Sequence, residues 1–345
     1  MTRDEVRRAL LDWYDAEGRS LPWRARPGQP EPEPYRVWLS EVMLQQTTTA
    51  HAAPYFAAFT QRWPTVGDLA AAEDGAVMSA WAGLGYYARA RNLLACARAV
   101  ARDHAGVFPD TEDGLLKLPG VGAYTAAAVA AIAFGRAANV VDGNVERVMA
   151  RLFAVETPLP AARAELKRLA GTLVTDDRPG DWAQALMDLG ATVCRPRAPL
   201  CGRCPIRGWC AALETGEPER FPLKAVKAER PHRRGVAWVL LDGEGRVGLV
   251  RRPERGLLGG MLALPTGDWT FDEPAADLGR PVEADWRLAG AVEHVFTHFA
   301  LTLEVRVARG AAEGLIWTPV EEARASLPTV FRKALDRGTA DHPPP

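Results

Sequence analysis

From residue 2 to about 212, apolar positions recur every three to four residues, the period of a helix with one buried face. The first run opens on TRDE at 2–5, a threonine with a glutamate three positions on, which fits a capping box. It continues as VRRALLDWYDA. Further helices are predicted at 36–46, 51–61, 73–82, 87–103, 111–117, 123–134, 143–153, 161–174 and 181–192. Glycine and proline punctuate them, and ARPGQPEPEPY at 25–35 reads as an exposed loop. AYTAAAVAAIAF has no polar face and reads as a buried central helix.

The pattern changes near residue 214. ETGEPERFPLKAVKAERPHRR is charged and aperiodic, which predicts a linker at 214–232 between a helical domain at 1–213 and a second domain at 233–338. There, VAWVLL and RVGLVRR flank DGEG as in a hairpin, ALTLEVRVA at 300–308 alternates like a strand, and PVEEARASL reads as a helix. The fold class expected is a mainly α domain followed by a smaller α+β domain, with residues 339–345 as a tail.

Composition changes this picture little. A chain of 345 residues, 48% hydrophobic and 25% charged, can build two cores, and wholesale disorder is excluded. No apolar run approaches the ~20 residues of a membrane span. The N-terminus has acidic residues and no apolar signal core, so the expectation is a reducing, bacterial-type cytoplasm and no membrane partner. Net charge is −1, so any affinity for nucleic acid must come from local patches. Two exist: Arg89, Arg91, Arg98 and Arg102 in an acid-free stretch at 75–102, and Arg195, Arg197, Arg203 and Arg207 among the cysteines.

CRPRAPLCGRCPIRGWC, 194–210, holds four of the five cysteines, Cys194, Cys201, Cys204 and Cys210, spaced C-x6-C-x2-C-x5-C. In a reducing compartment such a cluster points to metal rather than disulfides. Four thiolates hold zinc or a [4Fe–4S] cluster, and spacing alone does not choose. Cys96, within NLLACARAV, fits a small core residue.

Three other stretches carry candidate chemistry. LPGVGAYTA at 118–126 places Gly120 and Gly122 at a helix start, where backbone N–H groups can meet a phosphate, or where a plain interhelical turn would serve. In VVDGNVERV, Asp142 is positioned as an N-cap and also as a carboxylate at a cleft mouth. In VWLSEVMLQQTT, Glu41 lies among Trp38, Leu39, Val42 and Leu44. There it is either at a solvated edge or desolvated enough to donate a proton near neutral pH.

SEVMLQQT, GLGYYARARNL, LPGVGAYTA, VDGNVERV, WAQALMDLGATVC and the cysteine spacing occur in one order over residues 5–212. Together they resemble the helix-hairpin-helix DNA glycosylases related to endonuclease III, and within them the MutY family of adenine glycosylases. RRPERGLLGGMLALP and HVFTHFALTL are similar to that family's Nudix-like domain, which reads 8-oxoguanine. The resemblance implies a monomer that binds duplex DNA at adenine:8-oxoguanine or adenine:guanine mispairs, flips the adenine out and hydrolyses its glycosidic bond. It implies a [4Fe–4S] cluster on the four cysteines. Glu41 would protonate adenine, Asp142 would stabilise the sugar cation, and Tyr124 and Asn144 would position Asp142 and the sugar. Trp23, Arg24, Leu44, Gln184 and Asp188 match positions lining the adenine pocket. Gln46 and Tyr86 match wedges in the duplex, and Leu118, Gly120 and Gly122 a phosphate-gripping hairpin. Phe296, Thr297 and His298 match the loop that touches 8-oxoguanine, with threonine where serine is usual.

Endonuclease III-type relatives, glycosylase-lyases acting on oxidised pyrimidines, are the alternative. They carry a lysine where this chain has Tyr124, so the resemblance implies base removal without strand cleavage. No acidic Nudix run follows Gly260, so nucleotide hydrolysis is not expected.

Overall fold

A computed structural model describes residues 2–25, 29–30, 32–225, 230–253, 256–273, 277–296 and 298–340. The chain divides into two units, Met1–Val226 and Lys227–Pro345. Helices of the first unit begin with α1 (Arg3–Glu17), α2 (Pro34–Met43), α3 (Thr49–Arg62), α4 (Val66–Ala70), α5 (Asp74–Ala80), α6 (Tyr87–Asp103) and α7 (Glu112–Leu115). They continue with α8 (Ala123–Phe134), α9 (Gly143–Leu152), α10 (Arg163–Gly171), α11 (Pro179–Asp188) and α12 (Ala211–Glu214).

The capping box forms: Thr2 Oγ1 accepts from Glu5 N, and Glu5 Oε2 accepts from Thr2 N at 3.1 Å. Every residue from Thr125 to Ala133 is buried, so α8 is the helix around which α2, α7 and α11 pack. Its alanines let those neighbours approach closely. Trp38, Trp81, Tyr35, Phe56 and Phe59 fill the rest of this core, each contributing roughly 1.5–3 kcal/mol by leaving water.

Several helices end earlier than their periodicity predicts, α2 at Met43 and α10 at Gly171 among them, and in two the backbone shows why. The 111–117 run shrinks to α7 because the chain then tightens into three-residue turns, Lys117 N to Gly114 O and Leu118 N to Leu115 O. The 181–192 run keeps α helix only to Asp188 and widens to a π turn over Leu189–Val193. A side chain at Gly190 in that turn would place its Cβ 2.6 Å from Asn144 Cβ, so only glycine lets the turn lie against the start of α9. Helix α4 is too short to show a period.

In the second unit, β1 (His232–Leu241), β2 (Arg246–Arg251), β3 (Leu262–Ala263), β4 (Arg287–Val295) and β5 (Ala300–Arg309) lie in the order β3-β2-β1-β5-β4. Strand β6 (Ile316–Pro319) also pairs with β2, and α13 (Val320–Ser326) and α14 (Thr329–Thr339) follow. The DGEG turn closes because Asp242 Oδ1 accepts from Glu244 N and Arg246 N, each at 2.9 Å. Strands β1 and β5 run parallel from His232↔Ala300 to Leu241↔Arg309. Leu301, Leu303, Val305 and Val307 point inward, and α14 packs against β1, β4 and β5 with Phe331 fully buried. Strand β4, whose RLAGAVEHV pattern is too polar to read as a strand, the short strands β3 and β6, and α14 are the elements of the second unit that the sequence pattern leaves unannounced. No described helix is long and apolar enough to cross a membrane.

Phe331→Ala should cost the second unit about 3–5 kcal/mol, the range for emptying an aromatic site in a close-packed core. Denaturant unfolding measures it, and a loss under about 1 kcal/mol would mean that α14 does not hold the sheet.

Candidate active site

Helix α2 brings a carboxyl into the interior. Residues Val37 to Met43 are all buried, and Glu41 among them is only 6% exposed. Its side chain opens on a cavity of about 480 Å³, within the range typical of small-molecule sites. Burial pushes the Glu41 carboxyl up to about 7 from an ordinary 4.5. The Tyr124 hydroxyl and the Arg24 guanidinium oppose that rise, and the Asp142 carboxylate reinforces it.

Asp142 reaches the same cavity from α9. It is the N-cap: Oδ1 accepts from Asn144 N at 2.9 Å and Val145 N at 2.7 Å, and Oδ2 accepts from Asn144 Nδ2 at 2.9 Å. Cap and cleft carboxylate are therefore one residue. Asn144 is fixed in turn, because its Oδ1 accepts from Arg147 Nη2 at 2.9 Å. Arg147 also donates to Gly190 O at 2.8 Å and Cys194 O at 2.8 Å.

Tyr124, in the first turn of α8, lines the same cavity and feels both carboxyls. Its hydroxyl donates to Met187 Sδ at 3.4 Å. Burial and both neighbouring carboxyls raise the phenol well above its usual range, which keeps it a neutral donor. Trp23, Leu44 and Ile132 supply apolar wall. Gln184 is 4% exposed; its Nε2 donates to Gly180 O at 3.2 Å, while its Oε1 has no partner among the described residues. A buried acceptor left unpaired costs roughly 1–3 kcal/mol, which makes this oxygen available to a donor in the cavity.

Several expected site residues lie elsewhere. Asp188 is not on the cavity wall: fully buried, it accepts from Arg19 N at 2.8 Å, Arg19 Nε at 2.7 Å and Arg24 Nη1 at 2.8 Å. It holds in place the two arginines that do line the cavity. Leu118 is 4% exposed and part of the core, so its side chain anchors the hairpin and cannot meet DNA. Gly120 takes φ 72°, and a Cβ there would sit 2.6 Å from Asn92 Cβ; Gly122 caps α8 without a side chain. Gln46 and Tyr86 are exposed outside the cavity, whereas Gln45 lines it. In the second unit Phe296 is half-buried, stacked on Trp269 at 5.7 Å, and donates its N–H to Phe299 O at 2.9 Å, while His298 is exposed. Thr297 lies outside the described residues.

The four cysteines ring one small cavity of about 30 Å³, beside Arg151. Arg151, 2% exposed, donates to Cys194 Sγ at 3.3 Å, Arg195 O at 2.7 Å, Pro196 O at 3.0 Å and Phe221 O at 3.0 Å. Among the described residues, no three His, Cys, Asp or Glu side chains converge closely enough to hold a single ion. Four sulfurs around a shared cavity, with a guanidinium on one of them, nevertheless suit a multi-atom thiolate cluster. Arg147 and Arg151 were not singled out from sequence, though their i, i+4 spacing after Asp142 puts them on one face of α9.

The basic patches are thinner than their composition suggests. Arg98 is paired with Asp74 at 2.7 Å, Arg102 with Asp103 at 2.6 Å, and Arg89 with backbone carbonyls, which leaves Arg91 without a partner among the described residues. Near the cysteines, Arg203 pairs with Glu17 at 3.1 Å.

Residues 39–170 match the family described as HhH-GPD superfamily base excision DNA repair protein, and residues 236–337 match the NUDIX domain. A human adenine DNA glycosylase is 38% identical over 363 residues, 87% of this chain. The corresponding Mycolicibacterium smegmatis protein is 41% identical over 68% of this chain and 78% of its own length. The chain spans 66% of the human relative and 47% of an Arabidopsis thaliana one. Among solved structures, a thermostable thymine-DNA glycosylase superposes with a TM-score of 0.56 at 31% identity, covering 62% of this chain and 97% of that one. An endonuclease III in complex with DNA shares the fold, with a TM-score of 0.51 at 23% identity over 63% of this chain and 98% of that one.

Because Glu41 titrates near 7 when folded and near 4.5 when unfolded, the native state holds the extra proton between those values. Stability therefore falls as pH rises from about 4.5 to about 7 and is level above. Glu41→Gln should remove this slope and stabilise the protein above pH 7 by up to about 3 kcal/mol. Chemical denaturation of both forms at pH 5 and 8 measures the difference, and an equal gap at the two pH values would contradict a buried neutral acid.

Proposed function

The chain belongs to the adenine DNA glycosylase family, and from that premise we propose that it excises adenine from adenine:8-oxoguanine and adenine:guanine mispairs, acting as a monomer on duplex DNA in the cytoplasm. The observation that carries this reading is the convergence of Glu41 and Asp142, one still partly protonated near neutrality and the other capping a helix, on one cavity beside the neutral Tyr124 phenol.

Reaching that cavity requires the adenine to leave the stack, at a cost of a few kcal/mol. Gln46 and Tyr86, both exposed on turns beside the cavity-bearing helices, enter the duplex and fill the gap. The Gly120–Gly122 hairpin holds backbone phosphate through its N–H groups. Inside the cavity the base stacks against Trp23 and Leu44, and its amino group donates to Gln184 Oε1. Arg24, held by Asp188, sets the field around Glu41.

Glu41 then gives its proton to an imidazole nitrogen of adenine, so that the base departs with the bonding electrons of the glycosidic bond. Positive charge develops on the sugar, and the Asp142 carboxylate stabilises it where water is largely excluded. Water adds to the sugar carbon, and the proton it sheds restores the Glu41 acid, completing hydrolysis. The division of labour between an acid and an anion follows the logic of a retaining glycosidase. Asn144, locked by Arg147, keeps the Asp142 carboxylate aimed at the sugar. Among the described residues no lysine lines the cavity, so none there offers an amine for a Schiff base and the strand is left intact.

Cys194, Cys201, Cys204 and Cys210 would hold a [4Fe–4S] cluster, which when bound supplies a rigid tether for the 194–210 loop. The loop joins Asp142 through Cys194 O, Arg147 and Asn144. In the second unit the turn at 296–298 reads the 8-oxoguanine, with Phe296 acting mainly as the anchor of that turn.

Single-turnover excision on an adenine:8-oxoguanine duplex tests this. Glu41→Gln should slow it by about 10²–10⁴-fold while duplex binding survives. The parental rate should be level below about pH 7 and fall roughly tenfold per pH unit above it, as the acid is lost. Parental excision by the glutamine form would remove Glu41 from the chemistry. Purified protein should contain iron and acid-labile sulfide in equal amounts, both lost in Cys204→Ser, whereas zinc without sulfide would rule the cluster out.

A further inference from the structure

The turn that presents Tyr86 is braced to an unusual degree. The four carbonyls before it, in Ala82 to Gly85, all accept side-chain hydrogen bonds. Ala82 O accepts from Tyr55 Oη at 3.1 Å, Gly83 O from His51 Nε2 at 3.3 Å, and Gly85 O from Trp81 Nε1 at 3.0 Å. Arg89 supplies the rest, donating through Nη2 to Leu84 O at 3.0 Å and to Gly85 O at 3.3 Å. Tyr86 itself takes φ 51° and is 63% exposed, so a left-handed residue is held with its ring in solvent.

Arg89 does not stop at this turn. Its Nη1 donates to Val42 O at 3.0 Å and Met43 O at 3.4 Å, the last carbonyls of the helix that carries Glu41. Three residues further on is Gln46, also exposed and also left-handed at φ 59°. The guanidinium carbon lies 5.4 Å from the Trp81 ring centre and 5.6 Å from that of Tyr86. One half-buried cation thus joins two turns forty residues apart in sequence, each displaying one left-handed, solvent-facing side chain. A lysine could not reproduce this, since only a planar fork presents separate N–H pairs to two pairs of carbonyls.

We infer that Arg89 is a positioning residue that makes Gln46 and Tyr86 a single two-pronged wedge, setting their separation so that both enter the duplex together when the target base is extruded. This rests on the reading above that Gln46 and Tyr86 enter the duplex. Arg89 touches neither base nor sugar, and its contribution falls on extrusion, with bond cleavage in the extruded state unchanged.

The test uses the full chain with Glu41→Gln as background, so that chemistry is silent, and a duplex carrying 2-aminopurine in place of the target adenine opposite 8-oxoguanine. Fluorescence of the unstacked base reads the extrusion equilibrium. Gln46→Ala and Tyr86→Ala should each lower it, and their combined effect should depart from the product of the two by at least about threefold. In Arg89→Met that departure should shrink below about twofold, and Arg89→Lys should fall between. If neither single change lowers extrusion, the reading of these residues as wedges fails and takes the inference with it. If both lower it and their effects simply multiply, or if coupling persists in Arg89→Met, the wedge reading stands and the role given to Arg89 is overturned. Should Arg89→Met fail to fold by circular dichroism, the parental cycle and Arg89→Lys decide in the same way.

Discussion

A carboxyl held inside a hydrophobic helix is the constraint on which the rest of the first unit turns. Nothing in α2 around Glu41 offers it water, and its pKa near 7 is the direct result of that desolvation. A buried acid is tolerable only if it can stay neutral, and a neutral acid next to a cavity is a proton donor. Its neighbours are then limited in kind. Arg24 must be held off by a stronger partner, which Asp188 provides, and Tyr124 must remain a phenol, which burial ensures.

The opposite requirement governs Asp142. It is held by polar partners, since the start of α9 supplies three N–H donors to its carboxylate. One helix therefore carries the anion at its N-cap, the arginine that locks Asn144 one turn later, and Arg151 among the cysteines a turn beyond. Stability of the cysteine loop and aim of the carboxylate are mechanically continuous through α9. The π turn at Leu189–Val193, with Gly190 against Asn144, closes this arrangement from the other side.

Much of this was legible from residue types and spacing. The apolar neighbours of Glu41 left burial and a solvated edge both open, and the structure chose burial, whereas the capping role of Asp142 was legible from the glycine and asparagine that follow it. The cysteine spacing pointed to metal without choosing which one. Less was visible where long side chains choose partners far along the chain. Asp188 looks like a cavity residue by position, yet Arg19 and Arg24, more than 160 residues away, draw it behind the wall. The arginines of 75–102 look like a DNA-binding patch, yet Asp74, Asp103 and backbone carbonyls engage most of them. Leu118 looks like part of a hairpin tip and packs as core.

The amino-acid order by itself determined most of the helical segments, the caps at Thr2 and Asp142, and Glu41 and Asp142 as the two carboxyls to watch, while leaving open whether Glu41 is dry. These are short-range matters, decided by residues within one or two turns of each other. Only the tertiary structure decided that Glu41 and Asp142, a hundred residues apart, open on one cavity, and that Arg89 bridges two distant turns. The direction in which a guanidinium or an amide points is set by which carbonyls the packing brings within about 3 Å, and no local pattern in the chain encodes that distance.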